Sequence, residues 1–480
     1  MEIFLPQYAA VCVVTLLIGW LVQWVYKWVN PACDGVLPPG SMGFPVIGET
    51  LQFFRTSSSL DVPNYYKLRW NRYGPVFKTS LFGRRVIASM DGEVNRFVFQ
   101  QEGKLFRSWY GSTTNSMMGK ESMVTYEEGS VHRNIKSLQY NVLRHVLLDE
   151  IEGNVRESLA AWAAQPSIEV KDAVATMIFD LLAKKLLGVG PDKSRELRKN
   201  FQYFIPAMIS FPFYFPGTTF YRSMQGRKNL QKELKALLKE RLISTPEWRH
   251  DDFLDQVADE LRRGGKITDE KLALDTLSGL LLAGFTTIMV SMTVGMKYLA
   301  DNPTVVEGLK EEHEAILKRR EDISSGLVTW DEYKSMTFTS QVISEIVRLA
   351  NVSPGIFRET LTDVKIKGYT IPAGWLVLIS PTSVHLNPEF FQEPLAFNPW
   401  RWQDEAKRGD MIKNFIPYGG GKRLCTGAEF SKIHISVFLH TLVTKYRWKE
   451  IKGGGVRRIA ELLIPNDYHI QVTPRDQKTG

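Results

Sequence analysis

Cysteine is the scarcest informative residue in this chain: three among 480. That number rules out a disulfide framework and a Cys-rich zinc site. Cys12 lies in an apolar segment and Cys33 just behind it, so Cys425 is the only thiol of the globular part. This usage fits a reducing compartment. Eight histidines are dispersed, and no His-based metal cluster suggests itself. No glycine loop ends in Lys-Ser/Thr, and no G-x-S-x-G elbow occurs. His313-Glu314 begins like a zinc-protease helix but lacks the second histidine, and reads as a solvated helix face. Asn351-Val352-Ser353 opens like a glycosylation acceptor, but a cytosolic position would leave it silent. Internal repeats and low-complexity tracts are missing too.

What is present is ordinary in bulk: 44% hydrophobic and 23% charged residues. The length exceeds the roughly 250–300 residues at which one core stops growing, so two subdomains sharing a buried ligand, or two domains, are expected. A formal charge of +8 favours acidic partners or anionic membrane surfaces. Nucleic acid competes for that charge, but the lysines alternate with acids and form no stripe, so no nucleic-acid partner is expected.

Ile3 to Val25 is almost uncharged and long enough to span a bilayer as a helix. A cleaved signal peptide is the competing reading, but no small-residue cleavage site closes the run. Lys27 follows the span, and Trp20, Trp24 and Trp28 mark its trailing end, which places the remainder in the cytosol. Residues 1–28 are therefore expected to be an anchor, 29–58 a Pro/Gly-rich hinge and 59–480 the globular domain. Leu37 to Gly48 reads as a stiff, non-helical linker. Val76–Leu81 and Arg85–Ser89 flank Phe82-Gly83-Arg84 as a hairpin.

A mainly helical stretch runs from Gly129 to Leu317. Phe211 to Gly217 interrupts it as an aromatic loop, either packed inside or dipping into a membrane interface to admit an apolar ligand. Leu272 to Leu299 is a helix apolar on most faces, hence central. Gly284 beside Thr286 and Thr287 is costly there unless a ligand approaches, the helix bonding opens, or a neighbouring helix packs close. Short strands are expected at Val364–Lys367 and Thr370–Ile371, and an edge hairpin over Leu462–Val472. The class is α+β, predominantly helical.

The stretch Asn414-Phe415-Ile416-Pro417-Tyr418-Gly419-Gly420-Gly421-Lys422-Arg423-Leu424-Cys425-Thr426-Gly427 carries the chemistry. Glycines permit close backbone approach to a large flat group. Arg423 and the start of the following helix supply the positive surroundings that keep a thiolate ionised. With the Pro-rich linker, the Gly-Thr helix, Glu345/Arg348 and Phe397-to-Trp402, this order of motifs resembles the cytochrome P450 haem-thiolate monooxygenases over essentially the whole chain. Tyr333–Thr339, Gly368–Trp375 and Phe397–Trp402 are similar to phrases of the plant sterol- and triterpenoid-oxidising clan.

The resemblance implies a small β-rich N-terminal lobe, a large helical lobe and one N-terminal transmembrane helix. It also implies haem b, with Cys425 as the axial ligand of iron and Gly421 and Tyr418 in the loop around it. Arg423, Arg358, Lys136 and His132 are implied on the cofactor side, the first three toward propionates. Glu345, Arg348 and Arg401 match a buried ion triad. Thr287, with Thr286 before it, matches the distal alcohol that helps dioxygen receive protons; the family places an acid where Thr286 stands. Ala283 and Gly284 would leave room above the iron. Phe285, Ser353, Ile356, Phe357, Met117 and Met118 would line an apolar pocket.

The implied activity is O2-dependent oxygen insertion into a sterol or tetracyclic triterpenoid at the endoplasmic reticulum membrane. Electrons would come from NADPH through a flavoprotein reductase docking near Lys422 and Lys432. Ala350 to Phe357 is similar to relatives that oxidise sterol side chains in succession and cleave C20–C22 to give pregnenolone. Hydroxylation of a triterpenoid without cleavage, a reductase-independent peroxide rearrangement and a non-catalytic membrane scaffold are the alternatives.

Overall fold

A computed structural model describes residues 4–119, 148–208, 210, 212–244, 252–265, 267–320, 327–353, 355–459 and 462–475. The chain divides into two compact units. The smaller comprises Met1–Arg55, Val62–Arg107 and Gly355–Ser380, the larger Thr56–Asp61, Ser108–Pro354 and Pro381–Gly480.

The smaller unit begins with the helix Phe4–Val29, whose side chains from Val11 to Val29 form an exposed apolar run of 19 residues. Its body is a five-stranded sheet. Val76–Leu81 and Arg84–Ser89 pair as an antiparallel hairpin. Arg84–Ser89 then runs parallel to Leu376–Ile379, which pairs antiparallel with Ile356–Thr360, and Phe106–Ser108 closes the far edge. Leu376–Ile379 is buried at every position, as an apolar strand in the middle of a sheet should be. A second hairpin joins Val364–Ile366 to Tyr369–Ile371.

The Pro/Gly segment is non-helical up to Gly48, as its composition predicts, but it does not hang free. The Lys78 amide donates to the Pro39 carbonyl at 2.8 Å and the Glu49 amide to Ser80 at 2.8 Å. Gly40 sits at φ +150°, where a Cβ would fall 2.1 Å from the Lys78 carbonyl oxygen. The glycine is needed because the segment lies against the edge strand. A helical turn, Thr50–Phe53, follows inside the expected hinge.

In the larger unit, Glu270–Asp301 is the axial helix, capped by the Asp269 side chain accepting from the Leu272 amide at 2.9 Å. It packs on Val170–Leu187 and Thr337–Ala350, with Leu148–Ala163, Pro303–Arg319 and Ala428–Lys445 completing the bundle. Gly284 and Gly295 are the close contacts. A Cβ on either would lie 2.8 Å from Leu182 Cδ1 or Ile346 Cδ1 respectively.

Two expectations need correcting. Leu462–Val472 is no hairpin: Leu462–Asn466 pairs with Gly455–Ile459, while His469–Pro474 pairs with Tyr446–Lys452 and Ile168–Glu169. Alternation marks strands but not their partners. His313 is not on a solvated face either. It is fully buried, 3.0 Å from both the Thr339 hydroxyl and His440 Nδ1.

Candidate haem-thiolate site

The cysteine loop is a tight reversal that presents one sulfur. The Cys425 amide donates to the Tyr418 carbonyl at 3.1 Å, with Gly419 and Gly421 at φ +73° and +67°. Gly421–Arg423 forms a single 3₁₀ turn, and the helix Ala428–Lys445 starts three residues past the thiol. Cys425 is exposed, whereas that helix is buried from Phe430 to Val443 except at Lys432. The Tyr418 hydroxyl finds its partner in Ser431 at 3.3 Å, and burial pushes its pKa up.

Glu345, Arg348 and Arg401 are brought together as a fully enclosed triad. Glu345 and Arg348 are 0% exposed. Arg348 grips the carboxylate with Nε at 2.9 Å and Nη2 at 2.7 Å, and Arg401 Nε adds a third bond at 3.0 Å. The Asn398 amide and Trp402 Nε1 donate to it at 3.1 and 3.2 Å. The remaining guanidinium hydrogens hold main-chain carbonyls: Arg348 those of His385 and Pro394, Arg401 that of Gln392.

A residue that motif reading missed ties this triad to the loop. His385 gives its carbonyl to Arg348, while its Nε2 accepts the Ile416 amide at 3.0 Å, at the head of the cysteine stretch. Its Nδ1 therefore carries the proton and meets Asn351 Oδ1 at 3.1 Å. Burial, reinforced by the Arg348 charge, pulls the His385 pKa down to about 3. Neutral His385 is thus the form that holds Ile416. Sequence offered only a histidine among apolar neighbours.

The axial helix stays unbroken at Thr286 and Thr287. Thr286 Oγ1 donates to the Leu282 carbonyl at 2.7 Å and Thr287 Oγ1 to Ala283 at 3.0 Å. Among the described residues Leu272–Ala300, Thr287 alone is exposed. Of the readings open for Gly284, close helix packing has its partner in the structure: the missing Cβ lets Leu182 approach. Phe285 turns from the Thr287 face, meeting Phe179 and Phe201 edge-on at 5.1 and 5.6 Å. Ala283 is half-buried, one turn before Thr287.

Of the other expected site residues, Met117 is 0% exposed and Met118 buried at the end of the helix Ser112–Met118. Ser353 and Ile356 are half-buried. Arg358 is buried with its Nε 2.8 Å from Glu102, a partner the sequence did not suggest. Lys136 and His132 lie outside the described residues. The aromatic loop is open: Phe213, Tyr214 and Phe215 are 59%, 55% and 66% exposed, while Phe211 is outside the described residues.

These features fit a haem. Among the described residues no three His, Cys, Asp or Glu side chains converge as metal ligands. A single exposed thiol before a helix N-terminus, and a single exposed hydroxyl on an otherwise covered helix, supply one ligand and one polar face.

Fold and site together define a haem-thiolate oxygenase. A family model described as Cytochrome P450 matches residues 38–473, and the chain belongs to the cytochrome P450 family. The rice protein "Cytochrome P450 87A3" (Oryza sativa subsp. japonica) is 50% identical over 462 residues, covering 95% of this chain and 89% of its own. "Cucurbitadienol 11-hydroxylase" of Siraitia grosvenorii is 39% identical over 469 residues, with 96% and 98% covered. Among solved structures, "Retinoic acid bound cyanobacterial CYP120A1" is similar with TM-score 0.80 and 25% identity, over 92% of this chain and all of that one. Family and fold imply haem iron, O2 and electrons from a reductase.

Proposed function

We propose that this chain is a membrane-anchored monooxygenase that hydroxylates a sterol or tetracyclic triterpenoid: RH + O2 + NADPH + H⁺ give ROH, water and NADP⁺. One observation carries the reading: Cys425 is exposed just before, and Thr287 within, helices that are covered along most of their length, over residues 430–443 and 272–300. When bound, haem supplies oxygen activation, and a thiolate ligand favours O–O cleavage. Cys425 would hold the iron, with the helix at Ala428 stabilising its negative charge. Arg423 would balance a propionate, and Glu345, through Arg348 and His385, would fix the loop's entry point at Ile416. Thr287 would orient a proton donor at its exposed hydroxyl.

The substrate class is supported by similarity along 96% of the chain to a hydroxylase named for cucurbitadienol. Successive side-chain oxidation with C20–C22 cleavage rests on Ala350–Phe357 alone, and is the second reading. Residues 1–28 would anchor the protein in the endoplasmic reticulum, with the globular part cytosolic and an NADPH-dependent flavoprotein reductase as donor. The exposed Phe213–Phe215 loop suits a lipid interface.

The test is product analysis by mass spectrometry, using full-length protein co-expressed with reductase in yeast and fed cucurbitadienol or cholesterol. A product one oxygen heavier with its carbon count intact supports hydroxylation. Pregnenolone supports cleavage, and unchanged substrates across a sterol and triterpenoid panel reject both.

A further inference from the structure

Twelve residues before Thr287, the axial helix carries an acid that the reaction does not use. Asp275 is 0% exposed. Arg227, on the helix Thr219–Ile243, reaches it with Nη2 at 2.5 Å, and Gln231 Nε2 adds a bond at 2.8 Å. Arg227 is bound at both ends of its fork, because its Nε donates to the Met117 carbonyl at 2.9 Å. Ser223, one turn earlier, donates to the Met117 sulfur at 3.2 Å. The chain leaves Met118 through Gly119 at φ +90°, where a Cβ would stand 2.0 Å from Asp275 Oδ2. Only glycine lets the backbone lie against that carboxylate.

Three elements are therefore fastened at one point: Ser112–Met118, Thr219–Ile243 and the axial helix. On the axial helix that point lies about 18 Å from Thr287, at 1.5 Å rise per residue. This is the length scale of a fused polycycle with its side chain. A second ion pair, Lys235–Glu270, joins the same two long helices but is exposed on both sides.

We propose that Arg227 and Asp275 form a specificity-determining clasp. By holding Met117 in place, it would fix the wall that the monooxygenase reading puts around an apolar substrate at the end remote from Thr287. Neither residue is placed to touch the reacting atoms, so both are positioning residues. The proposal rests on the monooxygenase reading given above, but its test does not require the natural substrate. Lysine at 227 would keep the charge while losing the planar fork that serves Asp275 and Met117 together.

Haem-loaded full-length protein is titrated with imidazole, which senses only the iron, and with ketoconazole, whose long body also reaches away from it. Asp275→Asn and Arg227→Gln are compared with wild type and with Lys235→Gln. Arg227→Lys provides a milder variant if either of the first two loads haem poorly. The expected result is at least tenfold weaker ketoconazole binding, with imidazole affinity within twofold and the thiolate–carbon monoxide band unchanged. Amide exchange over residues 112–118 should quicken in the same variants and not in Lys235→Gln. The proposal is overturned if ketoconazole weakens no more than in Lys235→Gln, or weakens in step with imidazole. A sterol panel that gives no product would reject the substrate assignment and leave the clasp result standing.

Discussion

The Glu345 triad and the Thr286–Thr287 turn solve opposite problems. Glu345 is a buried charge with five donors arranged around it. The threonine turn has no carboxylate, and both hydroxyl protons go to its own helix carbonyls. One region is rigid because every polar atom is matched. The other keeps a single exposed hydroxyl whose lone pairs remain for something outside the protein. Charge is placed where the loop is held, and is absent from the turn where, on the proposed reading, a proton would move.

The largest effect expected on breaking this contrast is at the triad. Removing one member of a buried ion network leaves an uncompensated charge, at about 3–5 kcal/mol. Glu345→Gln would strand Arg348 and Arg401 facing each other, with their carbonyl partners in 385–396 loosened. Expression in bacteria should then give protein without the thiolate–carbon monoxide band, and a thermal midpoint several degrees lower. Normal haem content in Glu345→Gln would make the network dispensable.

Acid should act next. Burial holds His313 and His385 down to about 3, and His434 and His440 to about 4. The unfolded chain takes these protons near pH 6.5. All four are therefore neutral and stabilising above that pH, and their contribution is lost as pH falls towards about 4 for His434 and His440 and about 3 for His313 and His385. Each group adds a slope of up to about 1.4 kcal/mol per pH unit. His434 is the cleanest probe, since neither ring nitrogen has a hydrogen-bond partner among the described residues. His434→Leu should flatten the fall in thermal midpoint between pH 7 and 5; an unchanged slope would place the acid lability elsewhere.

How much of this was legible follows from the range of each interaction. The cysteine loop and Glu345/Arg348 are short motifs, and their local pattern was readable. Their partners Trp402, Asn398 and His385 lie 37 to 57 residues from Arg348 or Glu345, and no periodicity connects them. Gly284 could not be settled from sequence, because a glycine looks the same whether a ligand or Leu182 approaches it. His313 read as surface since its neighbours are charged, while the residues that bury it, Thr339 and His440, come from two other helices. The Asp275 clasp left no motif at all.

The smallest effect, and the one that most sharpens the contrast, comes from restoring an acid to the threonine turn. Thr286 is half-buried and its hydroxyl is committed to Leu282, so it is no substitute for a carboxylate that gains and loses protons. Thr287→Ala should first lower the product formed per NADPH and release more hydrogen peroxide, because the exposed hydroxyl is the one oriented group there. Thr286→Glu should shift that ratio the other way by about two- to fivefold, well short of the roughly 10²–10⁴ that a fully engaged general acid supplies. An effect of that modest size would fit a pathway completed by water or a substrate hydroxyl. Equal coupling in wild type and Thr286→Glu would mean that proton delivery does not limit this enzyme. Thr287 would then set the geometry of the face without setting its rate.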